Sequence, residues 1–227
     1  VSSYIYSGED LMWLKSHSCN VENNQPVTSW SSYNGVKDPF TQTNTLYQPS
    51  YEESSLNGWP GVRFDVDSLV GPDLGVGKNF TIVALYKSEE NPGVNYPRVL
   101  SGGIDSGNDW EDGVRLLPTL ENLSQVPGVE VKDLTFTQRN LNRVTLGSYY
   151  KEASRNNYKG KIYEVIVMPG VILSTLTRSQ IKKYLRIKYG ISPQPSISSI
   201  TYSNPLNIQL GTEIYDSSSI RLINEEE

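Results

Sequence analysis

The segment that most restricts the fold is Phe80-Thr81-Ile82-Val83-Ala84-Leu85-Tyr86. It is nearly continuous apolar, rich in strand-favouring residues and too short for a typical globular helix. A strand with no polar face must be covered on both sides, so it predicts the centre of a sheet buried front and back. Val62-Arg63-Phe64-Asp65-Val66-Asp67 behaves differently. Its strict alternation puts Val62, Phe64 and Val66 on one face and Arg63, Asp65 and Asp67 on the other, as in a half-buried strand.

Further strands are expected at Arg98 to Ser101, Gly113 to Leu117, Val129 to Phe136, Arg143 to Tyr149 and Lys161 to Met168, with shorter apolar pieces at Leu11 to Leu14 and Pro26 to Trp30. Gly35 to Pro49 reads as an irregular excursion. Many strands punctuated by Gly, Asn and Pro turns indicate an all-β, antiparallel sandwich or barrel. One helix interrupts this pattern, from Arg178 to Tyr189. Thr177 with Gln180 reads as its capping box and Gly190 as its left-handed C-terminal stop. Ile181, Tyr184, Leu185 and Tyr189 share one side, opposite Lys182, Lys183 and Arg186. After Ile191, Ser192-Pro193-Gln194-Pro195-Ser196 reads as a linker. Residues 192–227 are then an extension that adds a strand or reaches a neighbour, a route to oligomers. The domain proper is residues 1–191.

Composition narrows function by exclusion. The net charge of −5 opposes nucleic-acid binding, which needs a basic footprint. The longest apolar stretch, Val165 to Leu173, is broken by Pro169 and Gly170 and falls short of the roughly 18 to 20 residues of a membrane helix, so no membrane insertion is expected. The opening Val-Ser-Ser is expected of a mature form or an excised segment. Cys19 and His17 are the lone residues of their kinds, which leaves no intrachain disulfide and no zinc site built on several Cys or His. Gly75-Val76-Gly77-Lys78-Asn79 only superficially resembles a phosphate loop: a strand follows it, and it reads as a turn. There is no Ser nucleophile elbow and no E-x-D-x-x-E array, so no catalytic residue is assigned.

The densest set of polar groups is Asp105 to Gly113. Its hard oxygen donors Asp105, Asp109, Glu111 and Asp112 suit calcium, although the EF-hand pattern is not met. Asp105, Asn108, Asp109 and Trp110 also suit a sugar, with an aromatic face beside amide and carboxylate acceptors. Tyr149, Tyr150, Asn156 and Asn157 form a second ligand-binding candidate. A solvated acidic loop and a buried Trp anchor are the plain alternatives for the first set.

Three segments resemble the laminin-G-like jelly rolls of the concanavalin A-like lectin and glucanase superfamily. These are Gln48 to Tyr51 with Leu56-Asn57-Gly58-Trp59-Pro60-Gly61-Val62-Arg63-Phe64-Asp65; Phe80 to Lys87; and Gly160 to Val167 with Ser174 to Ile191. Trp13 and Trp30 sit where that family carries tryptophans. Val66 departs from it, since the family usually has Gly there, and so does Trp13-Leu14-Lys15, where it often has Trp-Tyr-Asp. The resemblance implies two antiparallel sheets of six or seven strands and the lone helix near the C-terminus. Such domains occur in bacterial surface adhesins, carbohydrate-binding modules of secreted enzymes, and phage tail and capsid-decoration proteins. It therefore implies a non-catalytic binding or structural module, on a virion or cell surface, whose partner is a glycan or a neighbouring protein. The alternative is a polysaccharide-cleaving hydrolase with carboxylates drawn from separate strands.

Overall fold

A computed structural model describes residues 11–33, 38–89, 96–104, 106–109, 111–118, 129–151 and 156–191, and the backbone of 208–210 and 213–215. The apolar run becomes the middle of β7 (Lys78–Ser88), flanked on either side by β10 (Val129–Arg139) and β12 (Lys159–Pro169). Both faces of β7 are covered. Phe80, Ile82, Ala84 and Tyr86 enter one hydrophobic cluster, and Val83 and Leu85 enter another. The continuous apolar pattern thus has its physical cause in two separate cores on one strand.

The first sheet is completed by β5 (Trp59–Asp65), β4 (Ser50–Leu56) and β1 (Met12–Lys15). The edge of β12 away from β7 is divided. Residues 159–162 pair with β5, and residues 164–167 pair with β1, with an irregularity in the β7 register between Ile162 and Glu164. The second sheet runs β2 (Ser29–Trp30), β3 (Phe40–Thr41), β6 (Leu69–Val70), β11 (Thr145–Leu146), β8 (Leu100–Gly102) and β9 (Val114–Leu116). Both sheets have six strands and pair antiparallel. They meet over one core, where Val62, Phe64 and Ile82 of the first sheet join Leu69, Leu100, Val114, Leu116 and Leu146 of the second.

The single described helix, α1 (Thr175–Lys188), seals the outer face of the first sheet with Ile181, Leu185 and the following Tyr189. Its N-cap is Ser174 rather than Thr177: the Ser174 hydroxyl accepts the Thr177 N–H at 3.1 Å, so the helix begins earlier than the capping-box spacing implies. At the other end Gly190 takes φ +60°, and its N–H donates to the Ile187 carbonyl while that of Ile191 donates to Arg186. This is the Schellman arrangement. The cationic side of the helix is partly engaged, since Lys182 and Arg178 both pair with Asp133 of β10.

Two strand expectations change. The Val62 to Asp67 alternation stops at Asp65: Val66 takes φ +66° and is 51 % exposed, instead of joining Val62 and Phe64 in the core. The Asp67 carboxylate accepts the Asp65 N–H at 2.7 Å and closes this turn, so Asp65 and Asp67 are not a pair on one strand face. Around Thr145–Leu146, left-handed Arg143 and Gly147 cut the expected strand to two residues. In the extension, β13 (Ile208–Leu210) and β14 (Glu213–Tyr215) pair with each other in a two-stranded sheet of their own. Of the Gly75 to Asn79 stretch, Gly75 to Gly77 turn, with φ +114° at Gly75 and +62° at Gly77, while Lys78 and Asn79 already belong to β7.

Candidate functional site

Strand β9 is one edge of the second sheet and β10 one edge of the first. A groove of about 350 Å³ lies where these edges face each other. Lys132, Leu134 and Phe136 line it from alternate positions of β10, as the two-residue repeat requires. Arg115 and Leu117 line it from the β9 side, and Arg139 borders it at the end of β10. Arg115 turns away from the core because its neighbours Val114 and Leu116 are fully buried. The Lys132 ammonium is oriented across the groove by donating to the Leu117 carbonyl at 2.9 Å. Three cations therefore share the lining with the apolar Leu117, Leu134 and Phe136.

Asp109 and Gly113 close one end. Asp109 is 1 % exposed and its charge is already met. Arg98 Nε donates to Oδ2 at 2.6 Å and Nη2 to Oδ1 at 3.1 Å, and the Ser101 hydroxyl adds a bond to Oδ2 at 2.8 Å. In this geometry the carboxylate organises the segments around Arg98. Gly113 has no room for a side chain, since a Cβ would stand 2.1 Å from the Gly102 carbonyl oxygen. Its lack of one lets the backbone at Gly113 approach Gly102 of β8.

Arg98 also connects the two regions singled out in the sequence. It is 3 % exposed; its N–H donates to the Asn156 carbonyl, its backbone bridges to Asn157, and Nη1 donates to the Tyr96 carbonyl. Tyr150 joins them again. Its hydroxyl lies 2.6 Å and 2.9 Å from the Ile104 and Gly107 carbonyls, and its N–H donates to Ser101 Oγ. Tyr149 packs edge-on against it, with 5.0 Å between ring centroids. Tyr149, Tyr150 and Asn157 are buried, so the second ligand candidate forms a buttress behind the loop instead of an open face. Asn156 holds a left-handed turn at φ +55°.

Of the loop residues, Asn108 shapes the turn: its Oδ1 accepts the Glu111 N–H at 2.7 Å and its Nδ2 donates to the Glu111 carboxylate at 2.8 Å. Glu111 and Asp112 are exposed. Asp105 and Trp110 lie outside the described residues. Among the described residues no three His, Cys, Asp or Glu side chains gather to hold a metal ion. His17 is exposed while Cys19 is buried, and burial pushes the Cys19 thiol well up from its ordinary range, so the pair does not face one ligand.

Sequence reasoning missed Arg98, Arg115, Lys132 and Arg139. Lys132, Leu134 and Phe136 do alternate in the chain, but nothing local tells that β10 faces β9. No family model, curated protein or solved structure matches this chain. Among the described residues no helix is long and apolar enough to cross a membrane.

Proposed function

We propose that this chain is a non-catalytic binding or structural module with the jelly-roll topology of the laminin-G-like, concanavalin A-like sandwiches. It is displayed on a phage particle or bacterial surface and contacts a glycan or a neighbouring protein. The observation that carries this reading is the groove between β9 and β10, an amphiphilic recess in which hydrogen bonds hold Lys132 and Asp109, with both apolar and polar lining as binding sites have. Among the described residues its one lining carboxylate, Asp109, is held by Arg98 and Ser101. That supports binding over the alternative of glycan hydrolysis, which needs two carboxylates able to exchange protons. The two antiparallel sheets over a shared core and the C-terminal helix support the jelly-roll reading.

The test is a glycan array probed with the full chain, with and without EDTA, together with a polysaccharide-hydrolysis panel. Binding without turnover supports a surface-binding module. Loss of binding in EDTA would make the binding depend on a divalent cation, with the exposed Glu111 and Asp112 as the first carboxylates to test. Turnover that disappears when one Asp or Glu becomes its amide overturns the non-catalytic reading.

A further inference from the structure

We infer that the β9–β10 groove recognises a carboxylate-bearing glycan, with Arg115 and Arg139 taking the carboxylate and Tyr96 stacking against the sugar ring. This rests on the groove being the contact surface proposed above.

The argument starts from charge. The whole chain carries −5, yet Arg115 and Arg139 line the groove beside Lys132, and the one carboxylate among the described lining residues, Asp109, is already paired with Arg98. An anion is repelled by the protein as a whole and attracted to this place, because a recess with apolar walls focuses the field of its cations. A neutral ligand could accept hydrogen bonds from those cations but would not offset their charge. Arginine rather than lysine dominates the rim, and its planar fork matches a carboxylate with two parallel hydrogen bonds.

Tyr96 indicates what carries the carboxylate. It is 63 % exposed and held at φ +62°, a left-handed backbone that a tyrosine adopts only under constraint. The constraint is visible: Arg98, from beneath the groove, donates to the Tyr96 carbonyl. The result is an aromatic ring kept in solvent, its centroid 6.0 Å from the Arg115 guanidinium carbon. A ring face beside a guanidinium suits a pyranose bearing a carboxylate, whose C–H face stacks while its acid group reaches the arginine. An acidic peptide would use the cations but has no comparable use for the ring.

The experiment measures binding of the full chain to oligogalacturonate and to a sialylated oligosaccharide, each beside its carboxyl-methyl-ester form. Titration calorimetry at low and high salt gives the readout. The acid forms should bind, the esters about ten-fold or more weaker, and added salt should weaken the acid forms. Arg115→Ala with Arg139→Ala should lower affinity about ten-fold or more at unchanged thermal midpoint, Tyr96→Ala by about five-fold, and Arg115→Lys should recover only part of the loss. Equal binding of acid and ester keeps the groove as the binding surface but overturns its proposed chemistry. Acid binding untouched by the double arginine variant places the ligand elsewhere and overturns the inference. So does binding of poly-glutamate as tight as that of the uronate, which would make the partner an acidic protein segment. Absence of any glycan binding overturns it as well, and with it the glycan form of the proposed function.

Discussion

Glu164 and Arg98 are both charged, both buried and both surrounded by partners from distant segments, yet they do different work. Glu164 is fully buried on β12, where it accepts from Trp13 Nε1 at 2.6 Å, Lys188 Nζ at 2.9 Å and the Tyr189 hydroxyl at 2.9 Å. Burial, and then the Glu164 charge, push the Tyr189 hydroxyl far up in pKa, so it stays a donor. Aromatic rings close the surroundings: the Lys188 ammonium lies 5.1 Å from the Trp59 ring centroid, and that of Lys15 lies 3.8 Å and 3.4 Å from those of Trp13 and Tyr33. This network ties β1, β12 and the end of α1 into one block. Arg98, by contrast, ties loops, and its partners border a groove. A buried charge costs desolvation wherever it sits. Where its partners are core strands and a helix it sets rigidity, and where they are loop residues it sets the shape of a surface.

The largest expected effect breaks the first network alone. Glu164→Leu leaves the Lys188 ammonium, the Trp13 N–H and the Tyr189 hydroxyl without their acceptor, and should cost about 3–5 kcal/mol in urea unfolding. Ligand affinity of the protein that remains folded should not change. An affinity loss there would mean that the two regions are coupled. Adding Lys188→Met should restore part of that stability, since the charges are then removed as a pair.

Asp109→Asn strikes the second network. It keeps the shape and strands the Arg98 charge, with an expected loss of about 3 kcal/mol in the same assay. Here groove affinity should fall too, because the loop that Arg98 positions is released. Retained affinity would show that the groove does not depend on its buried support.

A smaller effect comes from a carboxylate that lacks such a network. Asp67 has its pKa pushed up to about 6, first by burial and then by the Asp65 charge, against the lowering influence of the Asp65 N–H and Arg63. The folded form therefore binds its proton more tightly than the unfolded chain. This contribution to stability is present at about pH 4 and lost as pH rises through about 6. Asp67→Asn should remove that slope and add about 1 kcal/mol at pH 7, less than the shift alone implies because solvent reaches the group. Thermal midpoints from pH 4 to 7.5 check it. The smallest effect is next door, where Val66→Gly should stabilise by roughly 0.5 kcal/mol by relieving the left-handed strain at an exposed position. An unchanged or lower midpoint would mean that the Val66 side chain has a compensating contact.

Much of the fold was legible locally. Phe80 to Tyr86 announced a strand covered on both faces because burial leaves no polar period. The helix showed in the spacing of Ile181, Leu185 and Tyr189 and in Gly190. The candidate site was only half legible. Asp109 and Tyr150 stood out for their chemistry, but their roles invert once packed: the carboxylate is spent on Arg98 and the hydroxyl on loop carbonyls.

The sequence by itself determined the β class, the central strand, the helix before Gly190 and the absence of a disulfide within these 227 residues, because these follow from period, turn chemistry and composition within short windows. Only the tertiary structure decided that Arg98 meets Asp109, that Trp13 meets Glu164, and that Arg115, Lys132 and Arg139 surround one groove. Those pairings join segments far apart in the chain, and their energy depends on burial and distance, quantities that no local window of residues contains.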